Sequence, residues 1–522
     1  MVDLNASNCR SGDILAQEQV QAQKKEDVLK ALGDAVTSLR PKLGESLATV
    51  QRFDAPLPLA TTSSLQALQA YANARRVFHQ SGASPALPYY HRAIELDPNF
   101  ALAYAYLGDS FETSLQEPGL AAECLQKAYE LRDRVTESER FSITSDYYAL
   151  VTGELDKSLA ANGAWANAFP REPIPHLNNG YVSAYLGKYD VEVQEMITFI
   201  RLAPTDAAGY ANLMEGYIAL GKIDEAKVVG RQALDKNMEG QFLHDDLYLI
   251  AFLEGDTDEM QRQVQATAGK ASIEDILLSV ESDTHAYYGR LAKARGFSRR
   301  ASQLAKLSEQ PETAALWLLN SALREAEFGN LERARQDLKD GLALAATRDV
   351  QTLAALALAC SGELVRARAM ADSLQKEHPL NIMLNRYWLP TIRAYIEIHS
   401  GRHAQAVSLL QDAAVYDLAF PLPQYSEGGT LYPSYVRGQA YLGLRQGKEA
   451  AAEFQKFIDH RTIVANYPLV SLARLGLARA YKLQNDASKA RAGYQDFLAL
   501  WKNADPDIPI LKQAKAEYAK LQ

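Results

Sequence analysis

Three asparagines recur at matching places in the sequence and could grip a peptide backbone. Asn178 and Asn212 are 34 residues apart, and each lies nine residues before a glycine. Asn320 holds the same place before Gly329. An amide side chain both donates and accepts hydrogen bonds, so a row of asparagines can hold a peptide main chain whatever its side chains. The candidate peptide-binding residues are Asn178, Tyr181, Tyr185, Asn212, Glu215 and Asn320.

The alternative for this row is a set of solvated helix asparagines that bind no ligand. Asp246 replaces the asparagine before the next glycine, Gly255, so the row is also interrupted. The sequence contains no motif for catalysis or metal binding. His399 and His403 are separated by a Ser-Gly pair typical of a turn, and no phosphate-binding loop, nucleophile elbow or zinc-protease motif occurs. We expect no enzyme activity, no cofactor and no metal.

A regular period organises the chain around these residues. Gly153, Gly187, Gly221 and Gly255 follow one another at steps of 34 residues, and Pro170 and Pro204 keep the same step. Apolar helical segments precede each glycine, and segments with small residues follow it. A 34-residue unit of helix, turn and helix is the tetratricopeptide repeat (TPR). We therefore predict an all-α TPR superhelical solenoid with a short α+β N-terminal remnant.

The spacing also predicts boundaries along the chain. Later turn glycines follow at looser steps, and the stretch 262–312 fits least well, so we predict an irregular helical pair there. The predicted parts are a hairpin-plus-helix remnant of an upstream domain at 1–50, a linker at 51–64, a first half of the array at 65–268, the irregular pair at 269–312, a second half at 313–505 and a capping helix at 506–522.

Composition and charge limit the classes of molecule that this chain is expected to bind. The formal net charge is −9, whereas a nucleic-acid-binding protein is expected to carry a basic surface. The three cysteines are far apart in sequence and predict no disulfide framework. Neither a signal segment nor an apolar run long enough to span a bilayer occurs. We expect a cytoplasmic chain, without membrane insertion, that binds a protein or peptide; an upstream anchor would change that location.

The chain resembles a known arrangement of bacterial proteins. Segments such as RAIELDPNFALAYAYLG and KAYELRDRVTESERF, with the N-terminal block and the closing FLALWKNADPDIPILKQAKAEYAKL, resemble the TPR-array C-terminal region of bacterial eukaryotic-like serine/threonine protein kinases. Related arrays follow winged-helix transcriptional regulators. The kinase glycine-rich loop and the His-Arg-Asp and Asp-Phe-Gly motifs are absent from this sequence. The resemblance thus implies a regulatory or sensor part, truncated upstream, whose parent protein would carry the activity.

The resemblance to TPR superhelices also implies where the asparagine row lies. In such superhelices this position on the first helix of a unit faces the concave groove, and the row is similar to the peptide-clamping ladder of the O-GlcNAc transferase superhelix. The expected function is accordingly a protein–protein interaction scaffold that binds a peptide or partner domain in its groove. The alternatives are the regulatory part of a kinase and that of a winged-helix regulator.

Overall fold

Helices form almost the entire fold. The structure is a computed structural model that describes residues 2–8, 11–24, 27–45, 62–238, 242–270, 273–421 and 429–521. Two compact units divide the chain, one of residues 1–151 and 160–170 and the other of residues 152–159 and 171–522. The predicted all-α class is confirmed, and the strands of the described residues form one small sheet.

A hairpin and a helix open the first unit. Strands β1 (Val2–Ser7) and β2 (Ile14–Val20) pair antiparallel, and both contact helix α1 (Val28–Lys42). Leu29 and Ala35 of α1 are buried. The predicted linker at 51–64 lies, up to residue 61, outside the described residues.

Paired helices make up the rest of the first unit. Ser64 caps the first of them, because its hydroxyl accepts the backbone N–H of Ala67 at 3.2 Å. The helices are α2 (Leu65–Ser81), α3 (Ala83–Leu96), α4 (Ala101–Asp109), α5 (Pro118–Glu130), α6 (Glu137–Asp146) and α7 (Leu155–Ala168), whose first residues belong to the second unit.

The second unit begins with three helix pairs in tandem. Gly187 ends the first helix of the first pair with φ of 73°, and a Cβ there would come within 2.9 Å of the Leu418 backbone. Glycine is therefore required both by the left-handed turn and by the close approach. The six helices are α8 (Ile174–Tyr185), α9 (Tyr189–Leu202), α10 (Ala207–Ala219), α11 (Ile223–Asp235), α12 (Leu243–Glu254) and α13 (Thr257–Thr267).

Further helix pairs continue the second unit to its end. They are α14 (Glu274–Tyr287), α15 (Leu291–Leu307), α16 (Pro311–Glu327), α17 (Leu331–Leu342), α18 (Arg348–Cys360), α19 (Leu364–Glu377), α20 (Leu389–His399), α21 (His403–Leu409), α22 (Tyr432–Gly443), α23 (Gly447–Asp459), α24 (Arg461–Val464), α25 (Leu469–Leu483), α26 (Ala487–Leu500) and α27 (Pro509–Ala519).

The stretch 269–312, for which the sequence predicts an irregular helical pair, contains two helices. Helices α14 and α15 fill most of that stretch and pack against each other as the neighbouring pairs do. Gly289, 34 residues after Gly255, supplies the left-handed turn between them with φ of 71°. The 34-residue step is thus kept from Gly255 to Gly289, and the step from Gly289 to the next turn glycine, Gly329, is longer.

Distant repeats of the second unit contact one another. The Tyr189 hydroxyl donates to the backbone oxygen of Leu418 at 2.9 Å, across 229 positions of sequence. Ser471 Oγ and Trp501 Nε1 both donate to the backbone oxygen of Tyr287, at 2.6 and 2.9 Å. The array therefore coils tightly enough for successive turns to pack together. In α16, every residue from Glu312 to Ala326 is buried.

Candidate protein-binding surface

The candidate residues of α8 lie at the edge of the buried interior. Asn178 is 5% exposed and Tyr185 is 9% exposed, whereas Tyr181 is half-buried. The rings of the two tyrosines are 5.7 Å apart between centroids and tilted by 52°. One turn of helix places them together, because residues four apart share a helix face.

The candidate residues of α10 are half-buried and lie next to those of α8. Asn212 donates from Nδ2 to the backbone oxygen of Ala208 in the same helix, at 2.8 Å. Glu215 follows one turn later, and burial raises the pKa of its carboxyl to about 7. Helices α8 and α10 are in contact. Asn178, Tyr181, Tyr185, Asn212 and Glu215 thus belong to two adjacent first helices.

Asn320 lies apart from this group and is already bound. It is 2% exposed in α16, and its Nδ2 donates to both carboxylate oxygens of Asp283 at 3.2 Å. Arg324 Nη1 donates to the same carboxylate at 2.9 Å. Asn320 and Asn212 have the same spacing before a turn glycine, but their surroundings differ. We therefore leave Asn320 out of the surface proposed below.

A fully buried carboxylate next to this surface escaped the sequence reasoning. Glu192 lies in α9, five residues after the turn glycine Gly187, where the next unit carries Ala226. A Cβ on Gly216 of α10 would lie 3.1 Å from Oε2 of Glu192, so this glycine makes room for the carboxylate. Neither carboxylate oxygen has a hydrogen-bond partner. The sequence did contain a sign of it, because Glu192 is an acidic residue at a repeat position where other units carry alanine. Examples are Ala334, Ala367, Ala406, Ala450 and Ala490.

Two aspartates of α12 complete an acidic groove, which we define as Glu192, Glu215, Asp245 and Asp246. Burial, and then the charge of Glu215, raise the pKa of Asp245 to about 7. Burial, and then the charges of Glu215 and Asp246, raise the pKa of Glu192 well above its ordinary value. Like charges therefore act on Glu192, from Glu215 and Asp246, and on Asp245, from Glu215. Glu215 and Asp246 are half-buried and form the accessible side.

Two lysines on a helix next to the acidic groove, or just after it, have other partners. Lys227 Nζ lies 2.7 Å from Glu254 Oε1, and Lys236 donates to the hydroxyl of Tyr210. None of the described lysines and arginines lowers the pKa of Glu192, Glu215 or Asp245. The described side chains also include no group of three or more His, Cys, Asp or Glu that could hold a metal ion. No described cation therefore acts as a counterion of Glu192, Glu215 or Asp245.

Comparisons with known proteins give structural neighbours at low TM-scores. No family model matches this chain, and no curated protein matches it. The Cut9–Hcn1 heterotetramer of the APC/C has a TM-score of 0.42 at 13% identity, over 95% of this chain and 96% of that one. Yeast Tom70 has a TM-score of 0.31 at 11% identity, over 87% and 95%. The type IV pilus biogenesis factor PilW has a TM-score of 0.30 at 15% identity, over 40% and 94%.

These similarities concern the fold alone. The TPR architecture is carried by this chain's own helix pairs, with left-handed turn glycines at Gly153, Gly187, Gly221, Gly255 and Gly289. Every helix in the described part of the chain is too short or too polar to cross a bilayer.

Proposed function

We propose that this protein is an interaction scaffold that binds a peptide segment of a partner protein along the first helices α8, α10 and α12. The binding residues in this proposal are Asn178, Tyr181, Tyr185, Asn212 and Glu215. Adjacent repeats present such faces side by side, so a solenoid offers an extended binding surface. The net charge of −9 favours a protein partner over nucleic acid.

The observation that carries this proposal is the half-buried polar face of adjacent first helices. Tyr181, Asn212, Glu215 and Asp246 are each partly accessible, while the apolar residues of the same helices, such as Met214, are buried in the core. A tyrosine offers a large, rigid contact at low entropic cost, and amides and carboxylates beside it supply orientation. By contrast, the stretch from Glu312 to Ala326 in α16 has no exposed face.

Site-specific photo-crosslinking in the native host tests the proposal. A photoreactive phenylalanine analogue placed at Tyr181 should give a discrete covalent adduct with another protein. The matched control places it at Val228, which is exposed on α11, the second helix of its pair. An adduct from Tyr181 that is absent from Val228 supports the binding face. Equal adduct patterns from both positions, or none from Tyr181, would refute it.

We also propose that the parent protein is a signalling kinase or, failing that, a winged-helix regulator. The observation that favours this is the sequence resemblance of the N-terminal block and the closing segment to kinase-associated arrays. Reading the DNA upstream of the first codon tests it. An in-frame kinase domain supports the kinase parent, an in-frame winged helix supports the regulator, and a stop codon followed by a ribosome-binding site refutes both.

A further inference from the structure

A cavity of about 710 Å³ lies between the second helices α17 and α19, away from the residues of the proposed function. Its floor is apolar, because Leu338 is buried and Leu342 is half-buried. Its cationic rim consists of the exposed side chains of Arg335, Lys339 and Arg366. The lining residues of α17 share one face of that helix, since residues three and four apart are neighbours. The cavity thus combines an apolar floor with a positively charged edge.

The positive charge of the cationic rim exceeds the negative charge beside it. Glu363 is the one acid among the described residues that line the cavity. Two arginines share it, because Arg366 Nη1 donates to Glu363 Oε2 at 2.7 Å and Arg335 Nε lies 3.3 Å from Oε1. The ammonium of Lys339 has no ion pair or hydrogen bond within the described residues. Three cations therefore face one carboxylate, in a chain whose net charge is −9.

The acids of α17 lie outside the lining of the cavity. Asp337 is buried and accepts a hydrogen bond from Ser321 Oγ at 2.8 Å. Asp340 accepts a hydrogen bond from Gln336 Nε2 at 2.9 Å. Glu332 is exposed in the first turn of the helix. Unpaired positive charge thus remains at the cationic rim.

Two neighbouring turns of the array are covered by the chain's own acidic loop between α26 and α27. At the turn between α14 and α15, the Asp505 N–H donates to the backbone oxygen of Gly289 at 3.0 Å, and the Asp505 carboxylate accepts the N–H of Ala292 at 2.7 Å. At the turn between α16 and α17, the N–H of Ile510 donates to the backbone oxygen of Phe328 at 3.3 Å. The array therefore already holds an acidic segment against the turns of its helix pairs.

The next turn, between α18 and α19, has no such cover among the described residues. A Cβ added to Gly289 would lie 2.6 Å from Cβ of Ala504 in the acidic loop. A Cβ added to Gly362 would have no described atom within 4 Å beyond its chain neighbours. Glu363 and Arg366, which line the cavity, follow closely after Gly362. The cavity therefore lies at a turn next to the two that the loop covers.

We propose that this cavity binds an acidic segment of a partner protein, with an aspartate or glutamate carboxylate at the cationic rim and an apolar side chain on the floor. Charge complementarity selects the acidic segment, because the cations of the rim outnumber the carboxylate beside them. Guanidinium groups suit this ligand, since their N–H donors match the geometry of a carboxylate. The inference goes beyond the proposed function, because it places a second surface on second helices.

Two rhodamine-labelled peptides test the inference on the full chain. One has the sequence Gly-Ser-Ala-Asp-Pro-Asp-Ile-Gly-Ser, which includes residues 504–508 of the chain's own loop, and the other has asparagine in place of both aspartates. In about 50 mM salt we expect the acidic peptide to bind at least about fivefold more tightly by fluorescence anisotropy. Raising the salt to about 500 mM should remove most of this difference, because exposed charges are screened.

A lysine variant separates the cavity from general electrostatic attraction. Lys339→Gln removes the rim cation that has no ion pair, and it should weaken binding of the acidic peptide at least about threefold. The matched control is Lys376→Gln, because both lysines are exposed and lie in the last turn of a second helix. Lys376 does not line the cavity, so binding should stay as in the wild type. Circular dichroism of both variants verifies the fold.

Equal binding of the two peptides would overturn the inference, as would equal effects of Lys339→Gln and Lys376→Gln. A labelled single-stranded oligonucleotide that binds more tightly than the acidic peptide and requires Lys339 would also overturn it, in favour of nucleic acid. The proposed function has its own readout. A crosslinked partner at Tyr181 together with failure of the acidic peptide would retain the first-helix surface and refute only the cavity.

Discussion

Two regions of the second unit treat their buried carboxylates in opposite ways. In the region from α14 onwards, Asp283 is held by Arg324 and Asn320, and Glu325 by Arg295. In the region from α8 to α13, Glu192 has no hydrogen-bond partner. Because both regions are built from the same helix pairs, the difference reflects their side chains and not the architecture. It separates a self-sufficient core from a surface that, in our proposal, is completed by a partner.

In the self-sufficient region, several donors also cluster around buried carboxylates and bind them. Arg437 donates to Asp417 at 2.5 Å and to Glu453 at 2.9 Å, and Lys456 binds the same two carboxylates at 2.9 and 2.8 Å. Glu327 accepts hydrogen bonds from two tyrosine hydroxyls and the thiol of Cys360. Buried polar groups in such networks are costly to break one at a time.

The largest expected effect comes from removing a cation in the self-sufficient region. Arg324→Met should lower the free energy of unfolding by about 3–5 kcal/mol, because Asp283 would remain buried without its counterion. Chemical denaturation followed by circular dichroism measures this. The matched control is Arg300→Met, which breaks the exposed pair with Glu274 and should cost less than about 1 kcal/mol. Equal losses of stability in the two variants would show that the buried pair of Arg324 and Asp283 matters no more than an exposed one.

The second prediction reverses the sign in the other region. Glu192→Ala should raise the free energy of unfolding at about pH 8 by about 1–3 kcal/mol, less the cost of the small cavity left behind. The reason is that the wild-type chain buries a carboxyl without a partner. Denaturant titration measures the change. A loss of stability at that pH would show that Glu192 already has a stabilising partner within the fold.

The third prediction compares two asparagines with the same spacing before a turn glycine. Asn320→Ala should cost about 1–2 kcal/mol, because it removes hydrogen bonds to the buried Asp283. Asn212→Ala should cost less than about 0.5 kcal/mol, because its half-buried amide bonds only its own helix. Thermal unfolding of both variants checks this order, and the reverse order would contradict the assignment of Asn320 to the core.

The smallest expected effect is on the pH dependence of stability. The pKa of Glu215 is about 7 in the folded chain, against an ordinary value of 4.5, so folding retains a proton. Stability from this group is complete below about pH 4 and is lost as the pH rises through about 7. Glu215→Gln should therefore flatten the fall in stability between about pH 5 and pH 8.

Glu453→Gln is the control for that slope. Burial raises the pKa of Glu453, but the hydrogen bond and charge of Arg437 and then Lys456 outweigh it and lower the pKa overall. Its contribution is present above its ordinary value and is lost only at more acidic pH. The slope between about pH 5 and pH 8 should therefore stay as in the wild type. A flattened slope in this variant would contradict the assignment to Glu215.

The local parts of the fold were predictable from the sequence. The 34-residue step marked the turns at Gly187, Gly221 and Gly255, because a left-handed turn and a helix stop are encoded within a few residues. The same rule missed Gly289, whose surrounding pattern is less regular. The candidate residues of α8 and α10 lie on adjacent helices, and their binding role stays a prediction. Glu192 was overlooked, because it occupies a repeat position where other units carry alanine.

By itself the sequence determined the helix pairs, their turns and the order of the repeats, since these depend on interactions within about one unit. Only the tertiary structure decided that Tyr189 meets Leu418, that Asn320 is bound by Asp283, and that Glu192 is buried without a hydrogen-bond partner. The physical reason is that small rotations between repeats add up along the coil. That sum, which no single repeat encodes, sets which distant repeats pack together and which faces remain accessible to a partner.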